Sequence, residues 1–174
     1  MRRLADEERI ERFMAALGRR ASSTSRVYLT GGATAVLFGW RSTTVDLDLK
    51  LIPDTDDVLR AIPRLKEELH LNVEIASPDQ FIPPLPGWQE RSRFIRQEGP
   101  LGFYHYDFYA QALSKIERGH AKDLSDVHNM IEEGLVERRR LLELFEEIED
   151  ELFRYPAIDP PSFRRAVEVV AESG

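Results

Sequence analysis

The stretch Y28-LTGGATAVLFGWRSTTVDLDLK-L51 decides the reading of this chain. It opens on a short apolar run, Tyr28 to Thr30, that reads as the end of a strand. Gly31 and Gly32 then interrupt it, and "ATAVLFGW" has the composition of a helix starting directly after them. "TTVDLDLKLI" follows with strict alternation, the signature of a second strand. Aspartate is disfavoured in strands, yet Asp46 and Asp48 both lie in this one. Residues two apart on a strand share a face, so the two carboxylates stand together with Thr44 and Lys50, while Val45, Leu47, Leu49 and Leu51 are expected to face the core.

Two carboxylates held side by side can share a hard divalent cation. Magnesium prefers one or two carboxylates plus phosphate oxygens and water, and a pair of ions can clamp both ends of a phosphoryl displacement. The same pattern fits an edge strand with a solvated, charged face. The glycines bear on that choice: a Gly-Gly turn between strand and helix lets backbone N–H groups approach a phosphate, with Thr34 in position to add a hydroxyl. A tight turn without a ligand has the same local sequence. The combination is the specific feature: strand, Gly-Gly, helix, then an aspartate pair on the next strand.

Around this segment, "LADEERIERFMAALGRR" spaces Leu4, Ile10, Phe13, Met14 and Leu17 as a helix ending near Gly18. Downstream, Asp54 is expected to cap a helix reaching about His70, with Pro63 inside it, and "NVEIAS" reads as a third strand. The Pro-Pro and Pro-Gly pairs of "SPDQFIPPLPGW" mark a loop. "SRFIRQ" and "LGFYHYDFY" read as two more strands joined at Gly99 and Pro100. From Ala110 the pattern is helical to the end. The expected class is α+β: a mixed β-sheet with flanking helices over residues 1–108, and a C-terminal helical region over 109–174 packed on it as one unit.

The 174 residues suffice for a real core, and 42% hydrophobic with 32% charged residues is ordinary globular composition. No apolar run is long enough for a membrane span, and the N-terminus has no apolar signal-peptide centre, so the expected location is the cytoplasm. With no cysteine, disulfides, thiolate metal sites and cysteine nucleophiles are excluded. The four histidines lack metal-ligand spacing. A net charge of −7 argues against nucleic-acid binding through bulk charge, although arginines gather locally near the N-terminus and in "QERSRFIRQ".

"LTGGATAVLFGWRSTTVDLDL" resembles the signature of the DNA polymerase β-like nucleotidyltransferases, in which a Gly-Gly or Gly-Ser turn opens a helix and an Asp-x-Asp pair follows on the adjacent strand. More narrowly, residues 27 to 135 are similar to small nucleotidyltransferases of the AbiEii type, which include toxins of toxin-antitoxin pairs. The resemblance implies a nucleotidyltransferase-like fold and an Mg2+-dependent enzyme, with two ions expected, that moves a nucleoside monophosphate from an NTP to an acceptor hydroxyl. It implies that Asp46 and Asp48 bind metal and that a third carboxylate, on a later strand, completes the metal site and helps deprotonate the acceptor hydroxyl. Glu74 in "NVEIA" is the preferred candidate and Asp107 in "HYDFY" the other.

"ALSKIERGHAKDLSDVHNMI" resembles the family's lysine on one helix followed by a Lys/Arg-Asp-x-x-Asp run on the next. By that resemblance Lys115 contacts a triphosphate, and Asp123 or Asp126 orients it or an incoming base. Leu124, Val127, Met130 and Ile131 would form the buried stripe of the second helix. Arg41 precedes the strand as an arginine does in the family, which implies triphosphate contact. RNA, with the tRNA 3′ end foremost, is the implied acceptor, and an antitoxin protein the implied partner. A protein or small-molecule acceptor, and a catalytically silent binding protein or antitoxin on the same fold, remain the alternatives.

Overall fold

The computed structural model describes residues 3–173. The chain divides into two compact units: one holds the residues up to Ser77 together with Ser92–Tyr106, the other Pro78–Arg91 and everything from Asp107 onward.

The first unit is a five-stranded mixed sheet backed by helices. Its elements are α1 (Glu7–Arg20), β1 (Ser25–Thr30), α2 (Gly32–Leu37), β2 (Asp46–Ile52), α3 (Asp56–Glu68), β3 (Asn72–Ile75), β4 (Arg93–Glu98) and β5 (Leu101–His105). The strand order is β3-β2-β1-β5-β4. β1 is central, antiparallel to β2 and parallel to β5, while β2 and β3 run parallel and β4 with β5 forms an antiparallel hairpin.

Helix α1 forms because Asp6 caps it, accepting a hydrogen bond from the Arg9 N–H at 2.9 Å, with Glu7 and Glu8 in the first turn and Arg19 and Arg20 in the last. Ile10, Phe13, Met14 and Leu17 make its buried stripe. Leu4, counted with that stripe from the sequence, lies ahead of the helix and is exposed. Helix α3 starts one residue later than expected, with Thr55 rather than Asp54 at the cap, and Pro63 is accommodated inside it. α1, α3 and the small residues of α2 pack with Val27, Leu29, Leu47, Leu49, Leu51, Val73, Leu101 and Phe103 into one apolar core.

The alternation read in β2 holds from Asp46 to Ile52, with leucines buried and Asp46, Asp48 and Lys50 half-buried on the opposite face. It fails at Val45, which is 62% exposed. The strand begins only at Asp46; Thr44 instead forms an isolated bridge with Ala5, which frees Val45 from the pleat.

The second unit is helical, with α4 (Trp88–Arg91), α5 (Phe108–Arg118), α6 (Ala121–Glu132), α7 (Arg138–Ile148) and α8 (Pro160–Glu172), plus 3-10 turns at Pro78–Gln80 and Glu149–Arg154. The proline-rich segment read as plain loop thus contains a short helical turn at each end. Leu113, Ile116, Val127, Met130, Leu141, Leu144, Phe145, Phe163 and Val167 are buried here, and Phe145 meets Phe163 edge-on at 4.9 Å. The strand read through "LGFYHYDFY" ends at His105, because Asp107 caps α5 by accepting from the Tyr109 N–H at 3.2 Å.

The stripe of α6 also differs from expectation. Leu124 is 41% exposed, whereas Asp123 and Asp126 are buried beside Val127 and Met130. Hydrophobic spacing located the helix and placed Val127 and Met130 correctly, but the buried face is turned toward the two acids and away from Leu124. Two cations waiting on the neighbouring helix α5 make burial of the acids favourable.

Candidate active site

The geometry of the first unit starts at the turn between β1 and α2. Gly31 has φ +64° and ψ −128°, a conformation barred to residues with a side chain, and it caps α2. Gly32 is required for a different reason: a Cβ there would lie 2.0 Å from Thr44 Oγ1 and 2.7 Å from Thr44 Cβ. Thr44 is buried and its hydroxyl donates to the Asp46 carbonyl at 3.2 Å. The turn and the start of the acidic strand are therefore locked against each other through one threonine.

That lock puts the acids beside the glycines. A Cβ on Gly31 would be 3.4 Å from Asp48 Oδ2, so the Asp48 carboxylate faces the turn itself. In the ladder Asp48 pairs with Thr30 of β1 on one side and Glu74 of β3 on the other, and Asp46 pairs with Asn72. Directly paired residues share a face, so buried Thr30 on β1, Asp46 and Asp48 on β2, and Asn72 and Glu74 on the edge strand β3 form one polar strip across the sheet. The Asn72 amide donates to Asp46 Oδ1 and, at 3.1 Å, to Glu74 Oε1. Glu74 is exposed.

Asn72 escaped the sequence reading, though it lies two residues before Glu74 and period-two spacing assigns it the same face. Among the described residues no three histidine, aspartate or glutamate side chains are gathered as a metal-binding group. Asp46 and Asp48 nonetheless form a donor set suited to magnesium, which takes one or two carboxylates and fills its remaining positions with water and phosphate oxygens.

One residue expected here lies differently. Thr34 is 0% exposed and its Oγ1 lies 3.0 Å from His105 Nδ1, so its hydroxyl serves the interior of the unit and offers no surface atom to a phosphate. His105 is buried, with Phe38 against its ring at 4.8 Å. Burial, aided by the Arg93 charge, pushes its pKa down to about 4, so the imidazole is neutral at pH 7. Nothing in the sequence singled out His105. Arg41 lies half-exposed in the loop between α2 and β2, its N–H bonded to the Ala35 carbonyl at 3.3 Å.

The remaining predicted residues belong to the helical unit. Lys115 Nζ lies 2.8 Å from Asp126 Oδ2 and 3.5 Å from Asp123 Oδ1. Arg118 grips Asp123 with both nitrogens of its fork, at 2.8 to 3.1 Å. Lys115, Asp123 and Asp126 are all buried. Burial works to raise the Asp123 pKa, but Arg118 and Lys115 outweigh it and hold the carboxyl below its ordinary range. A phosphate reaching for Lys115 has two carboxylates to compete with. Asp107, the other candidate for the third carboxylate, is buried in an ion pair with Arg91 at 2.8 Å and occupied by the α5 cap.

A strand, a double-glycine turn, a short helix and an Asp48 carboxylate facing that turn, with Asp46 on the same strand face, make up this part of the first unit. The chain belongs to the family described as a nucleotidyltransferase of unknown function (DUF6036), whose model matches residues 8–157 and so spans both units. No curated protein and no solved structure is similar enough to match.

Proposed function

We propose that this nucleotidyltransferase moves a nucleoside monophosphate from an NTP to an acceptor hydroxyl, with magnesium. The observation that carries the reading is the Asp48 carboxylate facing the Gly31 turn, with Asp46 beside it and Glu74 in register across the strand pair. Asp46 and Asp48 would hold magnesium, which neutralises triphosphate charge and polarises the reacting oxygens. The Gly31–Gly32 turn would receive the phosphates, and Glu74, exposed and oriented by Asn72, would take the acceptor proton. The acceptor oxygen then bonds to the α-phosphorus as the bond to the pyrophosphate oxygen breaks. Positioning and charge neutralisation supply the rate in such a reaction.

The resemblance to AbiEii-type proteins supports RNA, and the tRNA 3′ end in particular, as acceptor, with a toxin role restrained by an antitoxin. One observation favours a second reading, a catalytically silent binding protein: the Asn72 amide already ties Asp46 to Glu74. Transfer of label from each α-labelled NTP into total RNA, total protein or small molecules separates these readings. Label that requires magnesium and disappears in the Asp46→Asn, Asp48→Asn variant supports transfer and names the acceptor class. No label in any fraction from the folded protein supports the silent reading.

A further inference from the structure

Away from the glycine turn, the first unit has a cavity of about 140 Å³ lined by Arg9, Arg12, Glu68, Leu69 and His70. Its charge is one-sided once its contacts are counted. Glu68 is engaged by Arg20 at 2.6 Å, and the Arg9 guanidinium is anchored by donating to the Leu69 carbonyl at 3.0 Å. Among the described residues no ion pair or side-chain hydrogen bond engages Arg12 or His70, and both are exposed. One anchored guanidinium, one exposed guanidinium and an imidazole thus line a single cavity.

The backbone at His70 points the same way. Its φ is +54°, the one non-glycine residue with positive φ among those described. It follows α3, with its N–H bonded to the Glu67 carbonyl and the Leu71 N–H to the Lys66 carbonyl, an arrangement in which glycine is the unstrained choice. A histidine there keeps steric strain that glycine would relieve, and such strain is a mark of functional positions. The Arg3 N–H also bonds the His70 carbonyl at 2.7 Å, which brings the N-terminal arm to the same place.

We infer that this cavity binds a phosphate group. Planar guanidinium forks suit phosphate oxygens, and the volume admits one such group. His70 lies in the turn two residues before Asn72, where the strand that carries Glu74 begins. The phosphate has two conceivable sources, a free one such as inorganic phosphate or pyrophosphate, and one carried on a nucleic-acid chain.

The test is calorimetric titration of the full chain with phosphate, with pyrophosphate and with a short single-stranded oligonucleotide, without NTP or magnesium, on wild type, Arg12→Gln and His70→Gly. Binding of at least one probe, weakened roughly tenfold by either variant, is the expected result. Whichever probe binds names the source. His70→Gly should at the same time leave the thermal midpoint unchanged or raised, because it removes a positive-φ side chain. A purely structural histidine would not separate those two readouts. No binding of any probe, or equal binding by all three proteins, overturns the assignment. Since the titration involves no transfer chemistry, its outcome is independent of the reaction proposed above.

Discussion

Two pairs of aspartates sit in this protein under opposite conditions. Asp46 and Asp48 lie half-buried on the wet face of β2, next to a turn that a side chain would obstruct. Asp123 and Asp126 are buried in the helical unit, within 2.8 to 3.5 Å of Lys115 and Arg118. A buried carboxylate is tolerable only when matched by internal cations, and matching it spends the charge on the fold. A half-exposed pair on one strand face keeps water as its alternative partner, which a cation can displace. The difference fits the helix pair, whose charge is taken up by internal cations, to stability, and leaves the strand pair open to the transfer chemistry proposed for it.

Substitution can break that comparison, beginning with the largest effect. Asp46→Asn with Asp48→Asn should lower nucleotidyl transfer by at least about 10³-fold, read as initial rates of label incorporation. If the strand pair were merely a solvated edge, the variant would match wild type. In the helical unit, Lys115→Met leaves two buried acids undercompensated and should destabilise by about 3–5 kcal/mol in urea unfolding. Adding Asp126→Leu should recover part of the loss, since it removes the stranded charge. A change of less than about 0.5 kcal/mol would show that the cluster does not hold the helices.

His105 sharpens the contrast through pH. Its folded pKa of about 4 lies below the ordinary value of 6.5, so the unfolded chain takes up the proton first as pH falls. Stability from the neutral imidazole is complete above about pH 6.5, declines through the interval down to about pH 4 and is lost below it. The amplitude is about 3 kcal/mol. Denaturant midpoints measured across that range should fall with acidification in wild type and flatten in His105→Gln.

Smaller again is Gly32→Ala, whose methyl meets Thr44 and should cost about 1–3 kcal/mol by overpacking, seen as a lower thermal midpoint. The smallest effect closes the comparison: Asp46→Asn with Asp48→Asn should shift unfolding stability by less than about 0.5 kcal/mol, because half-exposed like charges contribute little to the fold. A large loss there would move the strand pair into the structural class of the helix pair.

Period and punctuation determined much of this protein from the sequence alone. Alternation from Asp46 to Ile52 put the carboxylates on one face, and the double glycine placed the turn. These are local properties, set by pleat geometry and by the φ each residue permits. Tertiary structure decided what depends on a partner distant in the chain. The bridge from Ala5 to Thr44 trims β2 and exposes Val45; His105, 71 residues from Thr34, draws that hydroxyl inward; Lys115 and Arg118 bury Asp123 and Asp126 where hydrophobic spacing expected Leu124. Asn72 belongs between the two cases, since its face was legible but its role as the link between Asp46 and Glu74 required the parallel register of β2 and β3. Periodicity reports which way a side chain points, while burial of a polar group depends on whether another part of the fold supplies its counter-charge or hydrogen bond.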